Sequence, residues 1–100
     1  MGSKPPFEFI PLGENRYALT GRLDASTAES LEAQLNVIET TVTLDLSKLQ
    51  YISSAGLGVL LAAKQRLSDN DADLKLTGLQ PQVRHVFDVV GFDKIFNLEK

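Results

Sequence analysis

No cysteine occurs in the chain, histidine occurs once, and no apolar run approaches the ~20 residues that a membrane-spanning helix needs. Without cysteine there is no disulfide and no thiolate chemistry, which fits a reducing cytoplasm. A serine hydrolase needs a base and an orienting group, and the only imidazole is His85, beside Arg84, with no G-x-S-x-G elbow anywhere. A phosphate-binding G-x-x-x-x-G-K-S/T run is missing, as are a zinc ligand cluster and EF-hand spacing of carboxylates. We therefore expect no intrinsic enzyme activity, no cofactor and no metal. Neither sign of charge dominates. The net charge is −3 with acidic and basic residues interspersed, so the chain has no electrostatic footprint for nucleic acid or an anionic membrane. The start, MGSKPPFEF, lacks the apolar core of a signal peptide, and Pro6 stands where an N-myristoylation pattern wants Ser or Thr. Residues 1–6 are expected to form a flexible tail, residues 7–98 a single domain, and the site of action the cytoplasm.

What is present is a chain of 100 residues, 43% of them hydrophobic, enough for one core. Its organising stretch is residues 41–68, TVTLDLSKLQYISSAGLGVLLAAKQRLS. Val42, Leu44 and Leu46 alternate with Thr43 and Asp45, the period of a strand with one wet face. A turn and the serine pair Ser53–Ser54 follow. From Leu57 the period changes: Leu57, Leu60, Leu61, Lys64 and Leu67 share one side of a helix, with the Lys64 stem along the core and its ammonium in water.

Upstream, 7–12 and 16–23 alternate around the polar turn Gly13–Glu14–Asn15, which predicts a β-hairpin. Tyr17, Leu19 and Leu23 share one side of its second strand, whereas in the first either Phe7 and Phe9 or Ile10 and Leu12 face inward. Pro11 places that first strand at a sheet edge. Asp24 closes the hairpin, and Ser26–Glu29 reads as an S-x-x-E capping box before a helix with Ala28, Leu31, Leu35 and Ile38 on one face. Downstream, Leu74 and Leu76 alternate with Lys75 and Thr77. Pro81 opens a third helix with Val83, Val86, Phe87 and Val90 inward, and Gly91 stops it. Phe92 to Leu98 fits either a helical turn or a last edge strand.

The order is thus β-β-α-β-α-β-α, and each clear strand has one apolar face only. Doubly wound parallel sheets read as continuous apolar strands, which these are not. Right-handed crossovers stepping one way put the helices on one side. The fold class is α/β, a mixed sheet of four to five strands with helices packed on one face.

Ser53 and Ser54 sit where the helix after them begins, among unpaired N–H groups and the positive end of the dipole. Such a serine can cap the helix, or present a hydroxyl for phosphorylation. The run strand, serine pair, Gly-Leu-Gly and amphipathic helix, together with GRLDASTAESLEAQL at 21–35 and LKLTGLQPQVRHVFDVVGFDKIF at 74–96, resembles the STAS domain of bacterial anti-sigma factor antagonists. The resemblance covers about Phe7 to Phe96.

It implies a STAS-like fold and a switch operated by other proteins. The unmodified form binds an anti-sigma factor that is itself an ATP-dependent serine kinase; that kinase phosphorylates the serine pair, and a PP2C-type phosphatase restores it. The family's usual run is D-S-S-G with the serine before glycine modified. Here I-S-S-A-G puts Ala55 at the acceptor's place, so the resemblance shifts the phosphorylation site to Ser54, with Ser53 second. Asp24 matches the acidic residue that the family keeps before its first helix, and its competing reading is a helix cap. Arg22, Asp24, Ser53, Ala55, Gly56, Leu57 and Gly58 are the expected partner-binding residues. Two other classes stay open: a STAS scaffold that is never phosphorylated, and a module binding a small anion or nucleotide at the helix start.

Overall fold

The computed structural model describes residues 7–98, and the tail expected at 1–6 lies outside the described residues. The elements are β1 (Glu8–Gly13), β2 (Arg16–Leu23), α1 (Ala25–Asn36), β3 (Val42–Ile52), α2 (Ser54–Asp69), β4 (Leu74–Thr77), α3 (Pro81–Val89) and α4 (Phe92–Ile95). The four strands form one mixed sheet in the order β1-β2-β3-β4. β1 runs antiparallel to β2, while β2, β3 and β4 are parallel. The open choice at the end of the chain resolves as a helical turn, α4.

The hairpin turns through Gly13 and Asn15, both at positive φ (148° and 58°), a region that glycine and asparagine tolerate best. Phe7 and Phe9 are the residues that pack on the core, and Ile10 and Leu12 are exposed. Phe9 stacks on Tyr17 with ring centroids 4.4 Å apart. β1 is an edge strand, where Pro11 removes no ladder bond the sheet needs.

β3 departs from the expected strand-then-turn. Val42, Leu44 and Leu46 are buried as alternation requires, but the strand continues to Ile52. Its pairing runs Ala18 to Asp45 and then Thr20 to Lys48, Gly21 to Leu49 and then Arg22 to Tyr51. At each step β3 uses one more residue than β2. Two such bulges reset the alternation, so Leu46, Leu49 and Ile52, spaced by three, all face the core. Gly21, at φ 86°, sits at the second irregularity, where a Cβ would add strain.

The helices bury Ala28, Leu31 and Leu35 from α1, Gly56, Leu57, Leu60, Ala63 and Leu67 from α2, and Val83 and Phe87 from α3. Leucines and larger residues from all three helices join one cluster with the inward residues of β2, β3 and β4. The helices therefore share one face of the sheet, as same-direction right-handed crossovers dictate. On the other face Thr43 and Asp45 are half-buried and Lys75 and Thr77 exposed.

Three local expectations change. The capping box of α1 is Asp24 with Thr27, two residues earlier than the Ser26–Glu29 pattern, because β2 ends at Leu23 and delivers the chain directly into the helix. Val90 is exposed, since α3 ends at Val89 and Gly91 turns the chain away. Lys64 is not left to water: its ammonium pairs with Asp73, which precedes β4. Arg66, also on α2, donates to the carbonyls of Leu35 (2.7 Å) and Ile38 (2.9 Å), closing the C-terminal end of α1.

Candidate functional site

Because β2 and β3 are parallel, their carboxyl ends lie side by side and the helices that follow them, α1 and α2, start at the same end of the sheet. The N–H of Ser53 donates to the carbonyl of Leu23 at 2.9 Å, tying the serine loop to the end of β2. Arg22, Asp24, Ser53 and Ser54 are thereby brought to one end of the molecule.

Asp24 is the N-cap of α1. Its carboxylate accepts from the Ser26 hydroxyl (2.7 Å) and from the N–H groups of Ser26 (3.0 Å) and Thr27 (3.2 Å). Its own N–H donates to Oγ1 of Thr27 at 2.9 Å, and that hydroxyl reaches the carbonyl of Arg22 at 3.0 Å. The Ser26 hydroxyl above all holds the Asp24 carboxyl below the usual carboxylate range; desolvation opposes it, and the N–H groups of Ser26 and Thr27 and the Thr27 hydroxyl add to the lowering. The carboxylate is ionised at neutral pH and turned toward α1.

The two serines have different tasks. Ser53 is the N-cap of α2, with extended backbone and Oγ accepting from the N–H of Gly56 at 3.2 Å. Ser54 is the first helical residue and is exposed, and its hydroxyl has no hydrogen-bond partner among the described residues. The N–H groups of Ser54 and Ala55 lie in the first turn, beyond reach of any intrahelical acceptor. An accessible hydroxyl with no base beside it can accept a group from another protein's active site but cannot activate itself.

Ala55 and Gly58 are exposed on the same stretch. Gly56 and Leu57, expected among the partner contacts, face the other way. Leu57 is a core residue, and a Cβ on Gly56 would lie 2.7 Å from Cγ of Leu23. They hold the helix start down on β2 and β3, and the outward surface is left to Ser54, Ala55 and Gly58. Arg22 lies on the helix-free face of the sheet, its guanidinium carbon 4.1 Å from the centroid of the Tyr51 ring. Tyr51 was not singled out from sequence. Only the pairing of Arg22 with Tyr51 across β2 and β3 places it there, and a bulge sets that register.

Elsewhere, a surface cavity of about 570 Å³ is lined by Leu76, Thr77, Pro81, Arg84 and Asn97 among others, none of them a residue of the serine end. His85 is exposed on α3. Among the described residues no group of three or more His, Asp or Glu is placed to hold a metal ion, and no helix is long and apolar enough to cross a membrane.

A four-stranded mixed sheet with its helices on one face and a serine pair at the start of the second helix defines a class, and comparison with known proteins agrees. Residues 12–99 match the family described as "Mlab, STAS domain", and the chain belongs to the STAS domain family. A protein of Bordetella bronchiseptica named as an anti-sigma factor antagonist, BtrV, is 44% identical over 82 residues, spanning 78% of this chain and 71% of its own length. Among solved structures, the anti-sigma factor antagonist SpoIIAA in its unphosphorylated form superposes with a TM-score of 0.72 at 19% identity, covering 95% of this chain and all of that one. The phosphorylated form of SpoIIAA, a Bacillus cell fate determinant, gives 0.68 at 21% identity, covering 89% and 86%. At these identities the structural likeness speaks for the fold alone: the STAS-like fold that the resemblance implies, and the mixed sheet with helices on one face that the strand pattern predicts.

Proposed function

We propose that the chain is an anti-sigma factor antagonist working by partner switching in the cytoplasm. Unmodified, it docks through the surface around Asp24, Ser53, Ser54, Ala55 and Gly58 onto an anti-sigma factor that is an ATP-dependent serine kinase. The kinase transfers the γ-phosphoryl group of ATP to Oγ of Ser54. An O–P bond forms at the serine, the bond to the β-phosphate oxygen breaks, ADP leaves, and the hydroxyl proton passes to a base on the kinase. A PP2C-type phosphatase reverses the modification.

The observation that carries this reading is the division of labour in the serine pair: Ser53 has its oxygen committed to the N–H of Gly56, whereas Ser54 presents an exposed, unpartnered hydroxyl. The names of BtrV and SpoIIAA support it from outside the chain. Phosphorylation adds about −1.5 to −2 charges. The first-turn N–H groups of α2 and its dipole favour that charge within the fold, by about 0.3–1 kcal/mol per charge at such a terminus. A docked partner has no such compensation and is repelled. Release then follows from electrostatics and desolvation, without refolding.

Incubating the chain with its partner kinase and ATP, followed by peptide mapping of the product, tests the assignment. One phosphoryl group on Ser54 is expected. Stable docking with no modification at all would favour the unphosphorylated scaffold, and modification confined to Ser53 would move the switch by one residue.

A further inference from the structure

Resting on that docking reading, we infer that Arg22 and Tyr51 form a second element of the docking surface, on the helix-free face of the sheet, and that it takes a carboxylate side chain of the partner. Arg22 lies two residues before Asp24 and Tyr51 two residues before Ser53, so the pair adjoins the serine end through both strands. The guanidinium rests on the ring at 4.1 Å, and Tyr51 keeps 39% of its surface exposed. Arg22 forms no ion pair with any described residue. Asp24, the nearest carboxylate in sequence, is occupied by Ser26 and Thr27.

A second exposed cation belongs to the same face. Lys48 is the register partner of Thr20, which shares the side of β2 that carries Arg22, and it too has no ion-pair partner among the described residues. The acidic groups of that face, Glu8 and Asp45, form no ion pair with either cation among the described residues. Glu8 pairs with Thr20 from the opposite side, on β1, and Asp45 accepts from the N–H of Ser47 at 2.9 Å. On the helix-free face, a chain of net charge −3 thus carries Arg22 and Lys48 without ion pairs among the described residues, and the half-open Tyr51 beside Arg22. Charge complementarity selects an acidic group as occupant. Stacking holds the guanidinium plane in place, so less side-chain freedom is lost when a carboxylate binds it, and arginine and tyrosine are among the residues that most often dominate binding energy at interfaces.

Calorimetric titration of the unmodified full chain with each purified anti-sigma serine kinase of the source organism, at about 50 and 300 mM salt, tests the inference, since the Debye length shrinks about two- to threefold between them. Binding of the wild type should weaken with salt. Arg22→Glu should weaken binding about tenfold or more at low salt, Arg22→Gln should flatten the salt dependence, and Arg22→Lys should keep it. Tyr51→Leu, which retains the charge but frees the guanidinium, should weaken binding a few-fold, about the effect of losing one ordered contact. If Arg22→Glu proves unfolded by circular dichroism, Arg22→Gln decides. A kinase that binds the wild type and these variants equally at both salt concentrations overturns the inference and leaves the docking reading intact. If no kinase binds the wild type, the docking reading itself fails and takes this inference with it.

Discussion

Gly56 and Leu23 are in contact so close that a Cβ on the glycine would lie 2.7 Å from Cγ and 2.9 Å from Cδ2 of the leucine, with Cγ1 of Ile52 at 3.1 Å. The first turn of α2 is pressed onto the ends of β2 and β3, and this is what fixes the direction in which Ser54 faces out. Gly58, two residues on, meets nothing within 4 Å. The two glycines of one short motif should therefore respond in opposite ways. Gly56→Ala should destabilise the fold by about 1–3 kcal/mol through overpacking. Gly58→Ala should stabilise it by about 0.5–1 kcal/mol, since an exposed helical glycine carries only its entropic penalty. Urea unfolding midpoints of the two variants check both signs.

Asp24 predicts a pH dependence. Its folded-state carboxyl titrates below the usual range, chiefly because the Ser26 hydroxyl donates to the ionised form. Such a group contributes stability that is fully present above the unfolded pKa, near 4, and is lost as pH falls through the lower folded value. Asp73, lowered mainly by its bond from Lys64, acts in the same window. Asp24→Asn keeps a side-chain oxygen for capping but removes the titration. Thermal melts from pH 7 down to about 2 should show a shallower acid limb for Asp24→Asn than for the wild type. Identical acid limbs would contradict the carboxylate's assigned role.

Arg66 gives a third expectation. Its guanidinium serves the carbonyls of Leu35 and Ile38 at the end of α1, joining the two helices that frame the serine end. Arg66→Met keeps most of the apolar stem and removes both donors. A loss of about 1–3 kcal/mol is expected, the range for a charged hydrogen bond to a part-buried acceptor. Amide exchange should quicken at the C-terminal end of α1 before it does in β3.

Much of this fold was legible where the side-chain period is local. The hairpin, the amphipathic faces of α1 and α2, Pro81 at the start of α3 and the left-handed Gly91 all follow from spacing and backbone preference. The second half of β3 was not legible, because two bulges against β2 turn alternation into a spacing of three that resembles neither strand nor helix. At Asp24 two overlapping capping patterns competed, and the end of β2 decided between them. At the site, the hydroxyls and Asp24 stood out by type and position. Leu57 was assigned both to the helix's apolar face and to the partner contacts, and its burial settles it as core. Tyr51 could emerge only from strand register, which no local pattern encodes.

Charge placed at Ser54 should act on docking and on folding in opposite directions. Ser54→Asp adds one negative charge at the first turn of α2, where no acidic residue now stands. Its melting temperature should equal or slightly exceed that of the wild type, by the equivalent of about 0.3–1 kcal/mol. Affinity for the unphosphorylating, ATP-free kinase should fall. Calorimetry and thermal melts on the same preparation read both.

Intact-mass analysis of wild type, Ser53→Ala and Ser54→Ala after incubation with the partner kinase and ATP examines the switch at its source. One phosphoryl group on the first two and none on a folded, kinase-binding Ser54→Ala is the predicted pattern. Full labelling of Ser54→Ala would contradict it.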